Sequence, residues 1–386
     1  MYILAQVSAR AIHPTDPVRS YYLQAWRRTP GYHAASADTL ELPAWAAEVA
    51  GALRPTGEPI EYLSLTGNPA EAAARLHARK PAGIFGSVLD VNLEYWQRLV
   101  NLCHDIPFTL GGYVPADSFA AYPNVAWLAS PADLEAAIPG AGPARPDYSP
   151  FAGVRCIPRL RLSSGCLHRC SFCTVPQQVH AETFESVARQ VNSFAPLQFE
   201  LVYLDDKTFG QCDTAAWLPG IADRIRRYNP RFEGFIIQTT APLARKHCRT
   251  WAGWGVRYIE VGVETLEPDV LKLWHKPHGP GQIEACAYAI ALAQSEGYRI
   301  QLIPNIIFGY EHADYTPTLA WLRRWADICP FINPYILCQY HDSKGTVASA
   351  TNGDTDEGSW NKTWLTGDDV ARGRAALHYA LSIHGG

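Results

Sequence analysis

Between residues 157 and 337 the chain repeats one pattern: a short apolar run, then a segment of helical length. The apolar runs are Ile157–Leu162, Phe199–Leu204, Gly234–Thr239, Val256–Val261, Arg299–Ile307 and Phe331–Leu337. Between them lie Thr183–Phe194, Ala215–Tyr228, Pro242–Gly253, Gln282–Glu296 and Tyr315–Asp327, each with helical character. Strands that alternate with helices pair in parallel through right-handed crossovers. Six such units predict a partial (β/α)6 barrel of the TIM type. Functional side chains then belong at the C-terminal ends of its strands.

The first part of the chain alternates on a smaller scale. Tyr2–Val7, Tyr62–Leu65, Ala82–Val88, Phe108–Gly112 and Val125–Leu128 read as strands, and Arg19–Arg28, Ala70–Ala78 and Asn92–His104 as helices. That order predicts an α/β, doubly wound, Rossmann-like domain over residues 1–138. Pro139–Phe151 (PGAGPARPDYSPF) is rich in proline and glycine and reads as a linker over 139–151. The barrel follows over 152–340, and a C-terminal extension over 341–386. From Tyr340 to about Lys362 the chain is polar and reads as loop, and Asp368–Ser382 as a closing helix. A chain of 386 residues with 47% hydrophobic content has enough apolar surface for two such cores.

The formal net charge is −4, which does not suit a general nucleic-acid binder. The densest basic groups, Arg155, Arg159 and Arg161 and then Arg224, Arg226 and Arg227, read as solvated faces, with room left for a local basic cleft. No apolar run is long enough to span a bilayer. The opening residues, MYILAQVSARAIHP, read as a first strand rather than a signal peptide, so a cytoplasmic protein is expected. Of ten cysteines, only Cys166, Cys170 and Cys173 are clustered; Cys103, Cys156, Cys212, Cys248, Cys286, Cys329 and Cys338 are expected to be small buried hydrophobes.

The cluster reads SSGCLHRCSFCTVP over residues 163–176, directly after the first barrel strand. Three thiolates on one short loop can wrap three irons of a cubane and leave the fourth open. The spacing Cys-x3-Cys-x2-Cys, with the aromatic Phe172 before the last cysteine, resembles the radical S-adenosylmethionine (SAM) superfamily. The resemblance implies a [4Fe–4S] cluster on Cys166, Cys170 and Cys173, with SAM chelating the open iron. Reductive cleavage of SAM would then give methionine and a 5′-deoxyadenosyl radical, with an external one-electron reductant of the flavodoxin or ferredoxin type. The competing reading is a Cys3His zinc site using His168 or His180, which lacks the second Cys-x2-Cys pair that such sites favour.

The resemblance also assigns strand ends. Phe172 would lie beside the adenine. Asp205 and Asp206 in LVYLDDKTFG fall where the family binds the SAM amino group, although a helix N-cap would also suit an aspartate there. Gln238 and Thr240 close the third strand, matching a position that often faces SAM in that family. Gly262 and Glu264 in YIEVGVET match the ribose-contacting segment, with a helix-end role as the plainer reading of Glu264. Ile306 and Ile307 would give an apolar adenine contact, and Gly309 a close backbone approach or a simple turn.

Residues 1–138 resemble the cobalamin (B12)-binding domain that precedes the barrel in one class of these enzymes. Ser87 and Leu89 match its Ser-x-Leu element, and Gly111 and Gly112 its glycine pair, all expected to line a pocket for the cobalamin nucleotide tail. No Asp-x-His-x-x-Gly element follows the first strand, and His13 lacks those neighbours, so no histidine ligand to cobalt is expected. The function implied is a cobalamin-dependent methyltransferase acting on a small biosynthetic or peptide substrate. The alternative is a radical rearrangement, cyclisation or oxidation beside a degenerate B12-like domain. Methylthiolation of tRNA, which the TVP after the cysteines invites, is disfavoured because only Cys103 precedes Cys156. A nicotinamide enzyme is disfavoured because no Gly-x-Gly-x-x-Gly follows the first strand. No catalytic acid, base or radical-quenching residue is legible. Trp251, Trp254, Trp274, His275, His278, Tyr310, Tyr335 and Tyr340 could line a substrate cavity or simply build core.

Overall fold

The computed structural model describes residues 1–8, 17–32, 44–89, 92–173, 175–342, 345–352, 363, 365 and 367–384. His13 lies outside them. Two sheets carry the fold, the first wholly parallel and the second parallel but for its last strand. The first holds β1 (Tyr2–Val7), β2 (Ile60–Leu65), β3 (Gly83–Val88), β4 (Phe108–Gly112) and β5 (Val125–Leu128) in the order β2-β1-β3-β4-β5. Every pairing in it is parallel. This doubly wound order reverses between β1 and β3 and opens a crevice at the strand ends.

Side chains leave β1 with period two. Ile3, Ala5 and Val7 enter one apolar cluster with the helices Pro69–Arg79 and Leu93–Leu102. Leu4 enters the other, larger cluster, with the helix Ala44–Leu53. That helix is nearly apolar all round, with Ala46, Ala47, Val49, Ala50, Ala52 and Leu53 buried. Such a segment shows no amphipathic stripe, so periodicity does not reveal it.

The second sheet has the order β14-β13-β12-β11-β10-β9-β6. Its strands are β6 (Arg159–Leu160), β9 (Leu201–Leu204), β10 (Gly234–Thr239), β11 (Val256–Glu264), β12 (Gln301–Phe308), β13 (Asn333–Asp342) and β14 (Gly345–Asn352). A separate two-stranded piece pairs β7 (Ser163–Ser164) with β8 (His180–Ala181). From β6 to β13 the strands are parallel and joined by helices, which is the expected half-barrel. The first strand is shorter than expected because Pro158 carries no N–H for the ladder; only its carbonyl takes part, accepting from Tyr203 N at 3.0 Å. The polar tail is a correction. Residues 345–352 are a strand antiparallel to β13, not loop. Its sequence, GTVASATN, pairs through backbone groups while offering little apolar alternation to read. Residues 353–362 lie outside the described part.

Chain order does not decide which sheet a segment packs on. The helix Pro17–Arg28 follows β1 but reaches the second sheet: Ile332 N–H donates to Tyr21 Oη at 2.7 Å, and Tyr22 Oη donates to Asn333 at 3.2 Å. Tyr258 Oη also donates to the Pro30 carbonyl at 2.7 Å. The closing helix, Asp368–His384, packs beside it. Among the described residues no helix is long and apolar enough to cross a membrane.

Candidate active site

The cysteines sit on the loop between β7 and β8, at the C-terminal mouth of the half-barrel. Gly165 starts the loop with φ +76°, where a Cβ would meet the Gln178 carbonyl oxygen at 2.0 Å. Cys166 N–H donates to the Pro176 carbonyl at 2.9 Å, Cys173 N–H to Cys170 at 3.0 Å, and Ser171 N–H to Trp274 at 3.1 Å. The segment after β9 holds the loop from the other side. Thr208 Oγ1 lies 3.3 Å from Cys166 Sγ. The Gln211 amide donates to the Gly165 carbonyl at 3.0 Å, and its oxygen accepts from Leu167 N–H at 3.2 Å. Thr208 and Gln211 escaped sequence reading because their partners lie more than forty residues away in the chain.

Burial pushes the thiols of Cys170 and Cys173 above the ordinary range, and charge on neighbouring cysteines adds to the rise. Yet among the described residues no three His, Cys, Asp or Glu side chains converge as the ligands of one metal ion. Five of the scattered cysteines, Cys103, Cys156, Cys248, Cys286 and Cys329, are buried as expected, whereas Cys212 is half-buried. The Cys338 side chain lies outside the described part.

Asp206 is only 3% exposed. Its carboxylate accepts from Leu162 N–H at 3.1 Å and from the Ser163 hydroxyl, tying β9 to the strand that leads into the cysteines. Burial raises its pKa to about 6. No helix starts there for it to cap. Asp205 instead pairs with Arg159 at 2.7 Å and Lys207 at 3.1 Å. Gln238 is half-buried, and its carbonyl accepts from Phe209 N–H at 2.7 Å. Thr240 precedes the helix Ala241–Gly253 without a side-chain cap bond.

At the end of β11 the pairing with β12 shifts register between Gly262 and Glu264. This bulge re-aims Glu264, which adopts φ +62°, a region non-glycine residues rarely enter. Its carboxylate meets Lys276 Nζ at 2.9 Å, and both side chains are more than nine-tenths buried. Gly262 makes room: a Cβ there would lie 2.5 Å from Glu264 Oε1 and 2.9 Å from Lys276 Nζ. Lys276 also stands 5.7 Å from the Phe172 ring centroid, and its charge bears on Cys170, Cys173 and His168. His278 donates from Nε2–H to the Gly262 carbonyl at 2.9 Å, and burial drives its pKa down to about 3. Its Nδ1 is therefore a buried lone pair with no hydrogen-bond partner among the described residues.

Phe172 packs edge-on to Trp274 at 5.3 Å, and Trp274 in turn to Tyr310 at 5.0 Å. Ile306 and Ile307 are buried in the core. Gly309 has φ +79°, a turn requirement, and its N–H donates to Tyr315 Oη at 3.0 Å. The structure thus gathers Phe172, Glu264 and the cysteine loop around Lys276, while Asp206 faces inward to Ser163.

Beyond the strand ends of the first sheet lies a cavity of about 350 Å³. Ser87, Gly111 and Gly112 line it, with Trp45 and Phe85, but Leu89 does not. The glycine pair is already demanded by the chain itself. A Cβ on Gly111 would sit 2.8 Å from the Leu128 carbonyl oxygen, and one on Gly112 (φ +145°) 2.0 Å from that of Val88.

Residues 160–314 match the Radical SAM superfamily. A 77-residue stretch is 38% identical to the ribosomal protein uS12 methylthiotransferase RimO of Rhodopseudomonas palustris, covering 17% of this chain and 18% of that protein. The cobalamin-dependent S-adenosylmethionine radical enzyme OxsB, solved with aqua-cobalamin and S-adenosylmethionine bound, superposes with a TM-score of 0.55 at 14% identity, over 85% of this chain and 52% of that one. OxsB with aqua-cobalamin alone gives 0.55 at 16% identity over the same shares. The chain thus spans about half the length of OxsB and under a fifth of that of RimO. The matched stretch holds the cysteine loop and runs from the end of β6 through β12. Both sheets together share the fold of OxsB. The cofactors of the superfamily are a [4Fe–4S] cluster and SAM.

Proposed function

We propose that this protein is a radical SAM enzyme, with Cys166, Cys170 and Cys173 as the ligands of a [4Fe–4S] cluster. The observation that carries the reading is the three-cysteine loop, clamped by Thr208 and Gln211 at the mouth of the half-barrel. A [4Fe–4S] cluster held there would supply one-electron reducing chemistry for the reductive cleavage of SAM. The chain's own residues hold and shield that reaction. Phe172 offers a ring face beside the cysteines. Glu264, Gly262, Gln238, Thr240, Ile307 and Gly309 form the strand-end wall of the SAM site, and Asp205 and Asp206 brace the turn beneath it. Lys276, paired with Glu264, stands beside Phe172 at the edge of the cysteine loop.

Residues 1–138 serve as the cobalamin-binding domain, 139–151 as the linker, 152–340 as the radical SAM core and 341–386 as an extension. The cavity at Ser87, Gly111 and Gly112 has room for one aromatic base with its sugar, which suits the nucleotide tail of cobalamin. With cobalamin there, the reaction is methyl transfer to a small biosynthetic or peptide substrate, and the reductant is a flavodoxin or ferredoxin.

Two measurements test this. Anaerobically reconstituted protein with SAM and dithionite should form 5′-deoxyadenosine, and Cys170→Ala should lose both iron and product. Iron retention with turnover in that variant would end the cluster assignment. Protein purified from cells fed cobalamin should yield near-stoichiometric corrinoid on cyanide extraction. Its absence beside an intact cluster would remove methyl transfer and make the first domain a scaffold.

A further inference from the structure

Across the helix Ala44–Leu53 from the first cavity lies a second, of about 640 Å³. Trp45 and Val49 of that helix face the first cavity, and Ala44 and Glu48 the second. Four guanidinium groups line the second, Arg145 from the linker, Arg159 on β6, Arg161 just after it, and Arg189 on the helix Phe184–Ser193. Two carboxylates, Glu48 and Asp205, oppose them.

The charges are not used equally. Arg159 is fixed, 2.7 Å from Asp205 and stacked 4.7 Å over the Tyr203 ring. Arg161 pairs with Glu182 at 2.9 Å. Burial pushes the Glu48 carboxyl upward, which weakens it as a counter-charge. Arg145 and Arg189 have no ion-pair partner among the described residues, and both are exposed. The floor is closed by Tyr148 and Phe194, buried and edge-to-face at 5.3 Å, so the positive surplus acts against a low-dielectric wall.

We propose that this cavity binds a small polyanion, a phosphate ester or a polycarboxylate, held by Arg145 and Arg189 against the fixed Arg159. The guanidinium fork matches both oxyanions bidentately, and converging arginines on one concave wall are the arrangement that such ligands require. The site touches the helix Ala44–Leu53, the linker and the second sheet, so a bound anion joins all three. It stands whether or not the cysteines carry a cluster.

The test is titration calorimetry of the full chain at low salt, with inorganic pyrophosphate and citrate as probes. Saturable one-to-one binding is expected, weakened about tenfold by Arg145→Gln or Arg189→Gln and further by both together. Tighter pyrophosphate points to a phosphate ester, and tighter citrate to a carboxylate ligand. Arg323→Gln, on an exposed arginine that does not line the cavity, should bind as wild type. Absence of saturable binding to either probe overturns the proposal. So does an equal loss in Arg323→Gln, which would show diffuse charge rather than a site.

Discussion

Glu264 carries a left-handed backbone, a bulge and a buried charge at once. Such a conformation persists only when its surroundings over-determine it. Here Lys276 supplies the restraint. Glu264→Gln would leave the Lys276 ammonium buried without a counter-charge, which costs about 3 kcal/mol or more. Urea unfolding of the cluster-free protein measures it, and an unchanged midpoint would show that the pair contributes nothing. Asp206 makes a separate prediction. Its folded pKa of about 6 lies above the ordinary aspartate value of 3.8, so the folded state binds its proton more tightly. Its stabilising contribution is complete below pH 3.8 and fades as pH rises through about 6. Asp206→Asn, which stays neutral, should gain on wild type across that window when unfolding is followed from pH 4 to 7; a constant difference would sink the idea. The cysteine loop was legible in the sequence because its three thiols lie within eight residues. The Glu264–Lys276 pair was not, because a bulge rather than a motif aims Glu264 at its partner.

Helices announced themselves where their ends are written in local chemistry. The helix Pro69–Arg79 begins with a capping box: the Asn68 side chain accepts from Glu71 N–H at 3.0 Å, and the Glu71 carboxylate accepts from Asn68 N–H at 3.2 Å. Pro69 fits the first turn, where its missing N–H is not needed. Asn68→Ala should cost about 1 kcal/mol, read as a lower thermal midpoint. No change would mean that tertiary packing alone fixes this helix. The segments that reading missed share the opposite character. Ala44–Leu53 is buried on nearly every side, and β14 is held by backbone pairing, so neither shows a period.

Both sheets share one apolar core, which runs from Leu4 and Phe85 through the helix Ala44–Leu53 to the half-barrel strands. Thermal unfolding should therefore be one cooperative transition, checked by calorimetry; two resolved peaks would mean that the sheets fold independently. Tyr21 is a specific link. Tyr21→Phe would leave the Ile332 N–H buried and unpaired, lowering stability by about 1–3 kcal/mol, and the loss should appear in the same transition.

By itself, the sequence determined what depends on neighbours along the chain. The alternation of strand and helix set both sheets, and Cys166, Cys170 and Cys173 marked the mouth of the second. Tertiary structure alone decided what depends on distant pairs. It sent Pro17–Arg28 to the far sheet and turned Asp206 inward to Ser163. It also made a cavity wall of Arg159 and Arg161, which by sequence read as a solvated face. The physical reason is that local pattern reports which face of an element is apolar, whereas the partner it meets is chosen by packing across the whole chain.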